Sequence, residues 1–358
     1  IKLNLQMGVS ITSLAYVLPG QKNTNAELAA RFGSETVAKI ESISGILERR
    51  TAIGDTCASD LAVRAAQLIF ENRKISPKDI DLLIFATQTP DYLIPTTACI
   101  IQQRLGIDNS CAAFDINLGC SQFVYALATA RAWICGGLAK NALVLCADTP
   151  TKIIDPLDRS TACIFGDGGA ACMVSESKID GILGFSFGTD GKGFDSIIWP
   201  NSGLRGYGGE TMRADKMAMD GFKIFTFAYK RVAESVAEVL EKNGMSVRDI
   251  DLFVFHQAGE MIVKSCAQRL CIPPEKVYYK MHDIGNCGGA SIPIALADAA
   301  ITGRLKSGMK VLICAFGVGL SWGSAILEWN CAFTGAFTDA DFSNSPEKPK
   351  SQRAADIA

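Results

Sequence analysis

The sequence predicts an α/β protein built from two related halves and layered α-β-α-β-α. Three observations predict it. Four short segments recur in the same order at offsets between 155 and 170 residues. Each half alternates apolar, β-rich runs with helix-like amphipathic stretches. The β-rich runs are apolar nearly throughout, as expected of strands in a sheet covered on both faces. The repeats pair DIDLLIFATQTP from Asp79 with DIDLFVFHQAGE from Asp249, and DINLGCSQF from Asp115 with DIGNCGGAS from Asp283. They also pair ALVLCAD from Ala142 with KVLICAF from Lys310, and FGDGGAACMV from Phe165 with LSWGSAILEW from Leu320. The expected halves are 7–178 and 179–330, followed by a polar tail over 331–358.

In chain order, SDLAVRAAQLIFENR from Ser59 reads as a helix with Leu61, Ala65, Leu68 and Ile69 inward and Ser59 or Asp60 as its cap. DLLIFAT and AFDINL read as strands, SQFVYALATARAWI as the helix after Cys120, and ALVLCAD and GAACMV as further strands. FTFAYKRVAESVAEVLEKNG sets Phe227, Val232, Val236, Val239 and Leu240 on one side and closes on Gly244. GDGGAA from Gly166 loosely matches a dinucleotide fingerprint, but a strand-like ACMVSES follows it where a helix is required. The opening IKLNLQ is no secretory signal, since no basic segment precedes an apolar stretch, and Met7 reads as the native start. SNSPEKPKSQRAADIA, the polar end of the sequence, is expected to be a mobile extension.

Composition narrows function. A formal net charge of −2 over 358 residues excludes nucleic acid as a bulk partner, and no apolar run is long enough to cross a membrane. Thirteen cysteines, with no C-x-x-C pair and most in apolar runs, argue for free thiols in a reducing cytoplasm and against zinc.

Three polar residues stand at matching corners of the repeat. Cys120 follows the FDIN strand, His256 ends DLFVF, and Asn286 occupies the second-half equivalent of the Cys120 bend. Each has a bland alternative: a space-filling thiol, a satisfied histidine, a left-handed turn residue. Together they suit acyl transfer. A helix N-terminus lowers a thiol's pKa, the thiolate attacks a thioester carbonyl, and backbone N–H groups at the bend hold the oxyanion. His256 and Asn286 supply N–H donors for a second oxyanion, an enolate. This chemistry needs no metal or organic cofactor.

With TNAEL, SGILERR, IPTTACIIQQRLGI, DRSTACIFGDGGAA, VFHQAG, GNCGGASIPIALADA and AFGVGLSWGSAIL in this order, the chain resembles the β-ketoacyl-[acyl carrier protein] synthase III family of the thiolase superfamily, from Met7 to Trp329. The resemblance implies a thiolase-like fold, a homodimer, and a Cys120–His256–Asn286 triad reached through a tunnel by a phosphopantetheine arm. It implies decarboxylative condensation of a Cys120-bound acyl group, from a CoA or acyl-carrier-protein thioester, with malonyl-acyl carrier protein, in fatty-acid or related secondary biosynthesis. Phe316 matches the residue that crowds the departing carboxylate, and the Val318 N–H the second donor of the acyl oxyanion hole. Arg159 matches a nucleotide-contacting arginine. Ile94 replaces a phenylalanine that often closes the acyl pocket. Lys39 and Ile43 stand about where housekeeping members clamp the CoA nucleotide with Trp and Arg, and Gly259, a substrate-binding position, and Met261 stand where they carry Asn and Arg, which implies a specialised relative. Lys264 and Arg269, with Arg248 near them in sequence, offer a basic patch for an acidic carrier protein; an ordinary solvated helix face is the alternative. The rival activity is a non-condensing acyltransferase passing the acyl group to an alcohol or amine. A classical thiolase would need a second cysteine such as Cys314, which lies inside an apparent strand.

Overall fold

A computed structural model of the chain describes residues 8–204 and 216–340. Met7 and the polar stretch beyond 340 lie outside the described residues. The first half comprises β1 (Gly8–Pro19), β2 (Gln21–Thr24), α1 (Asn25–Phe32), α2 (Ser34–Ser44), β3 (Glu48–Thr51), α3 (Ala58–Arg73), β4 (Leu82–Ala86), α4 (Thr97–Leu105), β5 (Ala112–Ile116), α5 (Gln122–Cys135), β6 (Asn141–Asp148), α6 (Arg159–Ala162) and β7 (Gly168–Ser177). The second comprises β8 (Ile182–Thr189), β9 (Ile197–Ile198), β10 (Ala218–Met219), α7 (Gly221–Lys242), β11 (Leu252–Phe255), α8 (Glu260–Arg269), α9 (Ser291–Ile301), β12 (Lys310–Gly317) and β13 (Ser321–Glu328), with β14 (Phe333–Ala340) after it.

Two sheets carry the duplication. One has the order β14-β1-β7-β6-β4-β5 and the other β11-β12-β13-β8. Matching β1, β7, β6 and β4 to β8, β13, β12 and β11 reproduces every pairing sense: antiparallel, antiparallel, then parallel. The counterpart of β5 shrinks to a single parallel bridge between Phe253 and Val277. The apolar faces of α5 and α9 pack between the two sheets in one core. Helices α3 and α4 cover the outer face of the first sheet, and α7 and α8 that of the second. This is the five-layer arrangement expected, and burial on both faces explains the unbroken apolar strands.

Two details differ from expectation. The chain past residue 330 is not all tail: β14 runs parallel to β1, with Ser13 opposite Phe333 and Val17 opposite Phe337. Helix α3 is capped from Cys57, whose N–H donates to Asp60 at 2.8 Å. Ser59 is unavailable as a cap because its hydroxyl donates to Asp91 at 2.7 Å. Among the described residues no helix is long and apolar enough to cross a membrane.

Candidate active site

Cys120 sits in a one-turn 3-10 segment, Gly119–Ser121, between β5 and α5. Gly119 makes the corner with φ +73°, and a Cβ there would lie 2.7 Å from Gln88 Oε1 and 2.9 Å from Val318 Cβ. Only glycine fits both the torsion and the space. Two N–H groups, of Val318 and of Cys120 itself, reach the sulfur. They lower the thiol's pKa, yet burial dominates and, with the Asp148 charge, pushes it up to about 12. The expectation of a lowered thiol pKa is therefore overturned. The helix N-terminus is present, but the sulfur is too dry for a resting thiolate.

His256 follows β11, its N–H donating to the Cys314 carbonyl at 2.9 Å. Its ring is buried, which lowers its pKa to about 3 and keeps the imidazole neutral. Nδ1 lies 2.7 Å from Ser291 Oγ at the start of α9, and that oxygen also receives the Gln257 N–H at 3.4 Å. Among the described residues the buried Ser291 hydroxyl has no other acceptor for its proton, so donating to Nδ1 satisfies it and leaves the ring proton on Nε2. Phe316, 1% exposed, meets the ring edge-on with centroids 5.4 Å apart.

Asn286 is strapped to the chain before β7. Its N–H donates to Ile164 O at 2.9 Å, and its carbonyl accepts from the Gly166 N–H at 3.1 Å. Its side-chain oxygen accepts from the Gly288 N–H at 3.0 Å, which leaves Nδ2 as a free donor. Asp148, at the end of β6, ties the two chemical turns together. It accepts from Gln122 and Gly289 on one oxygen and from Thr87 and Gln88 on the other. Burial nevertheless raises its pKa to about 6.

Cys120, His256, Asn286, Phe316 and Gly259 line one cavity of about 450 Å³. Val318 lines a neighbouring cavity of about 620 Å³. Other expected residues fall elsewhere. Ile94 lines neither cavity and is 89% exposed on the loop before α4. Arg159 is exposed at the start of α6, next to Ser160, which does line the smaller cavity. Lys264, Arg269 and Arg248 are exposed and line neither cavity; Lys264 pairs with Glu260, and Arg269 lies 4.6 Å from the Tyr229 ring centroid. Cys314 is buried within β12 and is absent from the cavity lining. Ser291 and Asp148 escaped the sequence reading. Their signal was present: a hydroxyl at the start of the helix after Asn286, and a carboxylate closing an apolar strand at a repeated corner.

A 3-oxoacyl-[acyl-carrier-protein] synthase III signature matches residues 114–191, and the C-terminal signature of the same enzymes matches 240–329. The β-ketoacyl-[acyl-carrier-protein] synthase III of Methylococcus capsulatus is 38% identical over 312 residues, 87% of this chain and 96% of that one. The chain belongs to the β-ketoacyl-[acyl-carrier-protein] synthase III family. The synthase III of Caldanaerobacter subterraneus is 40% identical over 80% of this chain and 88% of its own. Among solved synthases, that of Burkholderia xenovorans superposes with a TM-score of 0.88 at 32% identity, covering 92% of this chain and 97% of that one. The priming β-ketosynthase of the R1128 polyketide pathway superposes at 0.85 with 29% identity, covering 91% and 98%. Synthase III membership accounts for the thiolase-type fold of two matched sheets around paired central helices.

Proposed function

We propose that this synthase III family member condenses an acyl group held on Cys120 with a malonyl thioester, losing carbon dioxide and releasing a β-ketoacyl thioester. The observation that carries this reading is the meeting of Cys120, His256 and Asn286 in one cavity. In the first half-reaction the Cys120 sulfur–acyl bond forms, the donor's thioester bond breaks, and the thiol proton leaves on the departing sulfur. The N–H groups of Cys120 and Val318, which favour negative charge at this thiol, suit the tetrahedral oxyanion. In the second, the malonyl carbon–carboxylate bond breaks and its electrons become an enolate, held by His256 Nε2–H and Asn286 Nδ2–H. The enolate carbon attacks the acyl carbonyl, and the Cys120 sulfur leaves. Phe316, packed against the imidazole, offers the departing carboxylate an apolar wall.

A second copy of the chain fits one face of the molecule. Strand β5 is the free edge of its sheet, and beside it Tyr92, Leu93 and Ile94 are 52%, 74% and 89% exposed. An apolar loop next to an unpaired strand edge is what a homodimer covers. The rival non-condensing transfer has no use for two donors beyond the acyl oxyanion hole. Intact-mass analysis after incubation with acyl thioesters, followed by malonyl-acyl carrier protein, tests the reading. Acyl-Cys120 must form, then vanish with stoichiometric carbon dioxide. Acylation that is discharged only to alcohols or amines would replace condensation by the rival.

A further inference from the structure

The cavity containing Cys120 is unusual in what surrounds its mouth. None of its lining residues among those described carries a charged side chain. Three large apolar side chains line it while standing in solvent: Phe222 at 80%, Ile43 at 51% and Met261 at 43% exposed. Isolated exposed hydrophobics need no explanation, but three gathered at the opening of a reaction cavity form a docking collar. The nearby cations are engaged. Lys264 pairs with Glu260, Lys39 with Glu35 at 2.8 Å, and Lys223 lies 3.7 Å from Asp195 and 4.0 Å from Asp220. Arg159, beside the lining residue Ser160, is exposed, and its charge acts on the adjacent Asp158 without a short ion pair among the described residues.

These features match one kind of thioester better than another. The nucleotide end of coenzyme A brings several phosphate charges and an adenine, which call for cations and hydrogen-bond donors. A phosphopantetheine fixed to a protein brings one phosphate and, behind it, a protein surface that can bury apolar side chains. One exposed arginine and an apolar collar answer the second description. We propose that the acyl donor of the first half-reaction is a phosphopantetheinyl carrier protein that seats on Ile43, Phe222 and Met261 with its phosphate at Arg159, and that the nucleotide of coenzyme A contributes nothing to binding here. The inference rests on the condensing reading above, and it assigns that same site its donor. The transfer is a thioester exchange. The carrier's sulfur–acyl bond breaks, the Cys120 sulfur–acyl bond forms, and the Cys120 proton ends on the carrier's thiol.

Single-turnover acylation of Cys120, followed by intact mass, tests it with one butyryl group on four carriers: pantetheine, phosphopantetheine, coenzyme A and an acyl carrier protein. Phosphopantetheine is expected to outrun pantetheine several-fold, and Arg159→Ala to erase that difference. Coenzyme A is expected to be no faster than phosphopantetheine, and the carrier protein at least ten-fold faster. In a Phe222→Ser, Met261→Ser double variant that keeps the parent's melting temperature, the carrier-to-pantetheine rate ratio should collapse toward one. Butyryl-CoA running ten-fold ahead of butyryl-phosphopantetheine overturns this inference while leaving condensation intact. So does a carrier protein no faster than pantetheine, or a ratio unmoved in the double variant. Acylation by none of the four overturns the condensing reading itself.

Discussion

Replacing Ser291 by alanine separates the two half-reactions. The Ser291 hydroxyl is the hydrogen-bond partner of His256 Nδ1, at 2.7 Å, and both residues are buried, at 0% and 2% exposed. In the alanine variant Nδ1 faces no donor, and the alternative tautomer would bury an N–H with no acceptor. An unsatisfied buried polar group costs about 1–3 kcal/mol, or roughly 5- to 150-fold in rate where that group acts. The loss should fall on condensation, which needs Nε2–H as an enolate donor, and spare acylation of Cys120, which uses the backbone donors. Ser291→Thr keeps the hydroxyl and should recover most of the rate. The assay is a stopped-flow pair, acyl loading by intact mass and carbon dioxide release from malonyl thioester. Nitrogen-15 shifts of the imidazole report the tautomer directly. A folded Ser291→Ala protein that condenses within two-fold of the parent, or that loses both steps equally, refutes the positioning role.

Gly317→Ala would place a Cβ 2.8 Å from both Cβ and Sγ of Cys120, so acyl loading should fall at least about 100-fold with a modest loss of melting temperature, read by mass and calorimetry. Because the Cys120 pKa is raised to about 12, its alkylation rate by iodoacetamide should keep climbing tenfold per pH unit beyond pH 9; a plateau below pH 8 would contradict the burial argument. His256 titrates near 3 in the fold and near 6.5 when unfolded, so between those values the unfolded chain holds the extra proton and stability is lost as pH falls. From pH 7 to pH 5 this amounts to about 2 kcal/mol, seen as the change in unfolding free energy of the parent relative to His256→Asn. Asp148 and Asp167, raised to about 6 by burial, act oppositely: their contribution is full at low pH and fades as pH rises through 6. They are common to parent and variant, so the difference isolates the imidazole.

Much of the fold was legible because a duplicated chain states each strand twice. The echo of Asp79–Pro90 in Asp249–Glu260 located β4 and β11, and the matched corners singled out Cys120, His256 and Asn286. What sequence could not supply was anything set by distance through space. The Cys120 environment illustrates this: its place before α5 was visible, its burial was not, and burial decided the pKa. Ser291 and Asp148 stood at readable corners, but their partners lie 26 to 141 positions away, so sequence did not say what they hold. Ile94 was placed by resemblance at an acyl pocket, yet on its own chain it faces solvent. Strand β14 hid in a segment whose polar surroundings suggested no structure.

That last strand has a bearing on how the protein is made. Since β14 lies beside β1, the sheet joins segments far apart along the chain, and the earlier must wait for the later to be made. Throughout synthesis the outer rim of β1 must wait unprotected, a template for wrong neighbours. Chains released early, or fused close behind residue 340, should therefore clump before they are ever catalytically defective.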